Sequence, residues 1–279
     1  MTPSIRVARR EDLAIMTEWA AGEGWNPGLA DAAAFLAADA EGFLLAEDAD
    51  GQPVACISAV RQGQGFGFIG FYIVRPHLRG QGIGMALWQQ AMARLAGRVV
   101  GLDGVVARQA DYSRSGFRTA WRNVRYAARP RAVGGGAGTV VPAGSLPFEA
   151  IVALDNSVLP APRGNFLRAW IDAPGHRALA VVRDGSVTGF GVLRPSRDGA
   201  RIGPLTAADP ASARALFDAL IEGQSGPVFL DLPEPNAAAV ALAEAAGMEP
   251  VFETARMYAG QAPALPLERI FGLASFELG

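Results

Sequence analysis

FYIVRPHLRGQGIGMALWQQAMARL, residues 71–95, decides how the rest of this chain reads. The run that feeds it, Phe66–Val74, is almost wholly apolar and aromatic, which suits a strand buried on both faces. Pro76 ends that strand, since it cannot donate to a central ladder. Gly80, Gly82 and Gly84 follow at alternate positions, and then Met85, Leu87, Trp88, Ala91, Met92 and Leu95 recur at helical spacing. An amphipathic helix is therefore predicted to begin at about Gly82. Strand, glycine-rich turn and helix N-terminus together make an anion site. The first helical N–H groups have no intrahelical acceptor, and glycine lets a phosphate approach the backbone. Two familiar phosphate loops do not fit: one needs Gly-Lys-Ser/Thr, and the chain contains no lysine. The other needs G-x-G-x-x-G, whereas residues 80–84 give G-x-G-x-G with Met85 next. The plain alternative is a turn that is glycine-rich only because glycine is abundant, 34 of 279 residues.

The stretch resembles the pyrophosphate loop of the GNAT superfamily of N-acetyltransferases, Arg/Gln-x-x-Gly-x-Gly/Ala, with Arg79, Gly82 and Gly84 in those places. Val74, Arg75 and Pro76 precede it as that family's strand end does. The resemblance implies acetyl-CoA as co-substrate. Its pyrophosphate would lie on the amides of Gly80, Gln81, Gly82, Ile83, Gly84 and Met85, with Arg79 beside it. It also implies that the strand Gly70–Val74 carries a bulge that frees a backbone N–H for the thioester oxygen, with Ile73 and Val74 against the cofactor. In many such enzymes a tyrosine lies five residues before the Phe of a Gly-Phe pair, and Tyr112 stands so before Phe117. Tyr112 is thus the expected general acid, with ring packing on a helix face as its alternative.

Length and composition set the bounds. At 279 residues the chain has room for one large domain or two ordinary ones, and half of it is hydrophobic. A net charge of −2 and the lack of a basic run argue against nucleic acid or anionic lipid as partners. All 25 basic residues are Arg, which reads as base-composition bias. The single cysteine, Cys56, sits in an apolar run and is expected to be a buried small hydrophobe. With one thiol, no signal region and no span-length apolar stretch, a soluble cytoplasmic protein is expected, with no metal and as monomer or homodimer.

The elements over residues 1–128 read β-α-α-β-β-β-α-β-α-β, the order of the GNAT fold: an α/β (α+β) architecture with a mixed central sheet flanked by helices. Residues 129–138, RPRAVGGGAG, read as a linker. Residues 139–279 run through the same order again, so two tandem GNAT-like domains are expected. The second is expected to be degenerate: opposite the glycine loop it has residues 208–213, where Asp209 would repel phosphate and Pro210 removes an amide. Ala243 stands where Tyr112 would be. The apolar tail, Ile270, Phe271, Leu273 and Phe276, is expected to dock on a sheet.

No general base is identifiable. Glu23 and Asp103 are candidates to face the acceptor, each with a cap, turn or solvated charge as the alternative. Trp25 and Tyr72 are candidates to line the acceptor pocket, with core packing as the alternative. Arg75 and Arg114 join Arg79 as candidate phosphate partners, and His77 and His176 receive no role. The expected function is direct acetyl transfer from acetyl-CoA to a primary amine of a small molecule or amino acid. A CoA-binding sensor without turnover is the alternative.

Overall fold

Residues 3–279 are described by the computed structural model, and within them two successive sets of ten elements have one order. The first is β1 (Ser4–Val7), α1 (Asp12–Gly22), α2 (Asp31–Ala38), β2 (Phe43–Glu47), β3 (Pro53–Gln62), β4 (Phe66–Val74), α3 (Ile83–Arg94), β5 (Val99–Val105), α4 (Gln109–Arg114) and β6 (Arg118–Ala128). The second is β7 (Thr139–Pro142), α5 (Phe148–Asn156), α6 (Gly164–Ile171), β8 (Arg177–Arg183), β9 (Ser186–Pro195), β10 (Ala200–Ala207), α7 (Pro210–Ile221), β11 (Val228–Pro233), α8 (Ala237–Ala245) and β12 (Glu249–Ala259). A short strand, β13 (Ile270–Gly272), ends the chain's regular structure. β7 has no counterpart in the sequence reading. β5 runs to Val105, so Asp103 lies inside a strand and not just past one.

The strands form one continuous sheet in the order β1-β2-β3-β4-β5-β12-β6-β11-β10-β9-β8-β7, with β13 against β10. Only β4 with β5 and β10 with β11 pair parallel. Each set has given its last strand to the other. β12 lies between β5 and β6, and β6 pairs with β11 and not with β5. The cores follow the exchange. Under α3, Leu87, Trp88 and Leu95 pack with Ile69 and Leu102, and with Ala255 and Met257 of β12. Under α7, Leu216, Phe217 and Leu220 pack with Ile202 and Leu230, and with Val124 and Tyr126 of β6. A third core on the opposite face joins Phe35, Phe43 and Phe71 to Phe166, Trp170 and Phe190.

A buried polar cluster ties the turn before α2 to the second set. Arg125 donates to both oxygens of Asp231 (2.6 and 3.0 Å), and Arg201 pairs with the same carboxylate. The free arms reach the turn, from Arg125 to the Trp25 carbonyl (2.8 Å) and from Arg201 to that of Asn26 (2.9 Å). Arg194 donates to Asp31 at 3.0 Å, and Asp31 also accepts from the Gly28 amide. Burial by itself would raise the Asp231 pKa. Arg125 and Arg201, with Arg194 beyond, outweigh it and hold the carboxyl well below the usual carboxylate range.

Two outcomes follow from this arrangement. Residues 1–128 expressed alone would leave the β5 and β6 edges without β12, so size-exclusion chromatography should find aggregate or a strand-paired oligomer instead of a folded monomer. Asp231→Asn removes one partner of a buried ion cluster and should cost about 3–5 kcal/mol at pH 7 in urea unfolding. The carboxyl's folded pKa lies below its unfolded value of about 3.9. The unfolded chain therefore binds the proton more readily, and this stability is present at pH 7 and lost as pH falls below about 4. The wild type should show that acid limb, and the variant should show a flatter one.

Candidate active site

The site begins where two strands part. β4 pairs with β5 only from Phe66↔Val99 to Ile69↔Leu102. Immediately beyond, β4 bulges against β3: Ser58 pairs with Gly70 and Cys56 with Ile73, so Phe71 and Tyr72 together stand opposite Ile57. Phe71 takes φ +46°, and the Cys56 thiol donates to its carbonyl at 3.1 Å. The parting holds a cavity of about 810 Å³, lined by β4 residues 69–74, the glycine loop, the start of α3, Asp103, Tyr112, Phe252, Thr254, Phe276 and Glu277. That volume lies within the usual range for small-molecule sites.

The loop leaves backbone donors open. Gly80 and Gly82 have φ of 80° and 84°, a left-handed conformation that favours glycine, and Gly82 is the N-cap of α3. No side chain caps this helix, and its first turn holds no acid. Its leading amides therefore face the cavity mouth without intrahelical acceptors. Gly84 is needed for another reason: a Cβ there would come within 2.8 Å of the Tyr72 hydroxyl and 3.1 Å of Val74 Cγ2. Arg79 donates to the Val74 carbonyl at 2.9 Å and pairs with Glu23 at the rim. The Gln81 side chain turns away to the His77 carbonyl (3.4 Å) and does not line the cavity, so only its backbone belongs to the loop. Met85 is exposed beside the mouth.

The equivalent helix of the second set is closed. Asp209 caps α7 by accepting from the Ala211 and Ser212 amides, both at 2.9 Å, and Pro210 supplies no N–H. A carboxylate of the chain itself occupies the place of an anion there.

Tyr112 stands across the cavity from the loop. Its ring packs on Trp88 (centroids 5.6 Å apart) and edge-on to Phe117 (6.4 Å). Burial, with Tyr72 nearby, pushes its phenol well above the ordinary value, so the group is held protonated. The Tyr72 ring also packs on Trp88, with centroids 5.6 Å apart. The two carboxylates read as candidates to face the acceptor are both engaged. Glu23 is held by Arg79. Asp103 accepts from Arg256 at 2.8 and 2.9 Å and from Asn123 at 2.7 Å. Trp25 lines the cavity while its carbonyl anchors Arg125. Arg114 lines it too but is paired with Asp111; Arg75 does not line it.

Four wall residues come from parts of the chain that sequence reasoning did not connect to this site: Phe252 and Thr254 of β12, and Phe276 and Glu277 of the tail. β13 pairs with β10 (Leu205↔Gly272), and the Leu273 amide donates to the Asp231 carbonyl of β11 at 2.7 Å. The tail thereby fills the parting between β10 and β11. It then crosses to β4, where a Cβ on Gly70 would fall on the Glu277 carbonyl. Gln62 holds the Leu278 carbonyl at 3.1 Å and Arg163 that of Gly279 at 2.8 Å. The one sequence signal was a lone acid in an apolar tail.

Comparison with known proteins agrees with this anatomy. Residues 10–117 match the model of the Acetyltransferase (GNAT) family, and residues 151–272 match that of an Acetyltransferase (GNAT) domain. The chain is 31% identical over 274 residues to the holothin acyltransferase of Pseudoalteromonas sp. (strain SANK 73390), covering 98% of this chain and 93% of that one. A crystal structure of a putative acetyltransferase from Pyrococcus horikoshii superposes with a TM-score of 0.86 at 22% identity, covering 100% of this chain and 96% of that one. A tandem GNAT protein from the clavulanic acid biosynthesis pathway superposes at 0.62 with 18% identity, covering 94% and 100%. Shared fold with the last two, and whole-length sequence identity with the first, lead to one statement: the chain belongs to the GNAT family of acyltransferases.

Proposed function

We propose that this protein transfers an acyl group, acetyl in the first instance, from acyl-CoA directly to the primary amine of a small molecule. The observation that carries the reading is the uncapped α3 N-terminus at the mouth of the β4–β5 parting, set against the capped α7. The amides of residues 80–85 would receive the pyrophosphate, which needs donors and close backbone approach; at Gly80 and Gly82 an added Cβ would meet nothing, so the cradle is open. Ile73 and Val74, past the bulge and beyond the reach of β5 pairing, would hold the chain leading to the thioester. Bound there, acyl-CoA supplies an activated carbonyl and a thiolate leaving group. Tyr112 keeps its proton and would donate a hydrogen bond to sulfur as charge develops on it. Cys56 is fully buried with its pKa pushed up by that burial, which favours direct transfer over an acyl-enzyme on the chain's one thiol. The relative named for holothin suggests a small-molecule acceptor here as well.

Gly82→Asp would place a carboxylate at the α3 N-cap, as Asp209 does in α7, at a position whose left-handed backbone Asp tolerates better than most residues. Acetyl-CoA affinity should weaken by about 3 kcal/mol, roughly a hundredfold. Calorimetry that finds the affinity unchanged in a folded variant would remove the loop from the site. Tyr112→Phe should leave acetyl-CoA affinity nearly unchanged and lower kcat by about 10²–10⁴-fold. Because burial holds the phenol above its ordinary value of about 10, the wild-type rate should not fall between pH 8 and about 10 through this group. A variant with wild-type kcat would make Tyr112 a packing residue.

A further inference from the structure

We infer that Glu277 is the carboxylate that binds the ammonium group of the acceptor and takes its proton; the inference rests on the cavity being the acyl-transfer site. Glu277 lines that cavity and is only 3% exposed. Neither of its carboxylate oxygens has a hydrogen-bond partner among the described residues. A buried carboxylate without a partner is costly, so its place in the wall calls for a cation or donor that arrives from outside the chain. The other acids of the cavity are already answered: Glu23 by Arg79, Asp103 by Arg256 and Asn123, Asp111 by Arg108 and Arg114.

The charge around Glu277 explains how a carboxylate can be buried there. Arg125, Arg194 and Arg201 are three buried guanidiniums, and two buried carboxylates, Asp31 and Asp231, take their hydrogen bonds. Glu277 is the third carboxylate. It acts on Arg194 and Arg201 through its charge: burial lowers the Arg194 pKa to about 10 against the pull of Asp31 and Glu277. At Arg201 burial also lowers, and Asp231, Glu277 and Asp31 more than offset it. No hydrogen bond joins Glu277 to either, which leaves both its oxygens without a partner among the described residues, in a residue of the cavity wall. The tail is fixed by the close pack on Gly70 and by the Ser275 hydroxyl under the Leu278 amide (3.2 Å), so the carboxylate is positioned before any ligand arrives. Thr254, another residue of the cavity wall, adds a third buried, unpartnered oxygen. Trp25, Phe252 and Phe276 give the cavity an aromatic wall. The acceptor that fits is an ammonium ion on a flat apolar body.

The proton balance is simple. Glu277 takes one proton from R–NH₃⁺ and passes it to solvent. The nitrogen lone pair so released forms the C–N bond as the thioester C–S bond breaks. The nitrogen's surplus proton leaves with the thiolate, giving amide, free thiol and one released proton.

Glu277→Gln in the full chain keeps size and removes charge. Benzylamine and aniline make a matched pair at pH 7, the first an ammonium ion and the second neutral. The variant should stay folded and keep the wild-type acetyl-CoA affinity, whatever Tm it loses with one charge of the buried cluster. Its kcat/KM for benzylamine should fall by about 10²–10⁴-fold, and that for aniline by less than about tenfold. An unchanged benzylamine rate would overturn the inference. So would equal losses for both amines, or a fall in acetyl-CoA affinity, since Glu277 would then act only as a structural counter-ion of Arg194 and Arg201. A wild type that binds acetyl-CoA but acylates only aniline, or neither amine, would also count against an ammonium site. Failure of the wild type to bind acetyl-CoA would instead overturn the acyl-transfer reading itself.

Discussion

The parallel ladder between β4 and β5 stops after Ile69 and Leu102, and the rest of the molecule depends on that parting. Two strands that separate leave unpaired backbone and open apolar walls, which is unfavourable unless the bend is fixed and the gap has a use. The bend is fixed at Phe71, whose positive φ costs about 1 kcal/mol or more in a residue other than glycine. Burial offsets that cost. The Phe71 ring lies 5.5 Å from Phe35 and 6.3 Å from Phe43, and its carbonyl accepts the Cys56 thiol. The gap then receives a helix N-terminus at one end and a tyrosine at the other.

The same parting occurs a second time, between β10 and β11, whose parallel pairing stops at Ile202 and Leu230. There the chain has used the space on itself. Asp209 and Pro210 close the helix N-terminus, and β13 fills the opening. The two clefts thus differ not in backbone plan but in whether local side chains and the tail have already satisfied the exposed donors.

Much of this was legible from residues in order. The glycines at 80, 82 and 84 and the helical spacing from Met85 place the loop, and the repeated element order declares the duplication. What stayed hidden was choice of partner. β6 and β12 occupy equivalent places in two similar units, and nothing local to either says whose sheet it will enter. Asp103 could not be read as engaged, because Arg256 lies 153 residues away and meets it only after the exchange. Glu277 was passed over for a similar reason: its position depends on Gly70 lacking a Cβ, a tertiary fit with no periodicity to announce it. β7 was missed because it directly follows a glycine-rich linker and is only 4 residues long.

The exchange also explains why a half with a closed cleft is still part of the site. β12 carries Phe252 and Thr254 to the cavity because it sits against β5, and the tail that seals β10 from β11 continues to Gly70 with Phe276 and Glu277. Arg125, on a strand that came from the first half, lies 5.1 Å from the Phe276 ring while its guanidinium holds Asp231 of the second. One buried ion cluster therefore joins the two halves and backs the Phe276 side of the cavity wall. Changes far from the glycine loop, in the closed half, can alter what acceptor fits without touching how an anion is held. On the proposed reading, this division of labour would let the phosphate end stay fixed by backbone amides while side chains from another part of the chain shape the acceptor end.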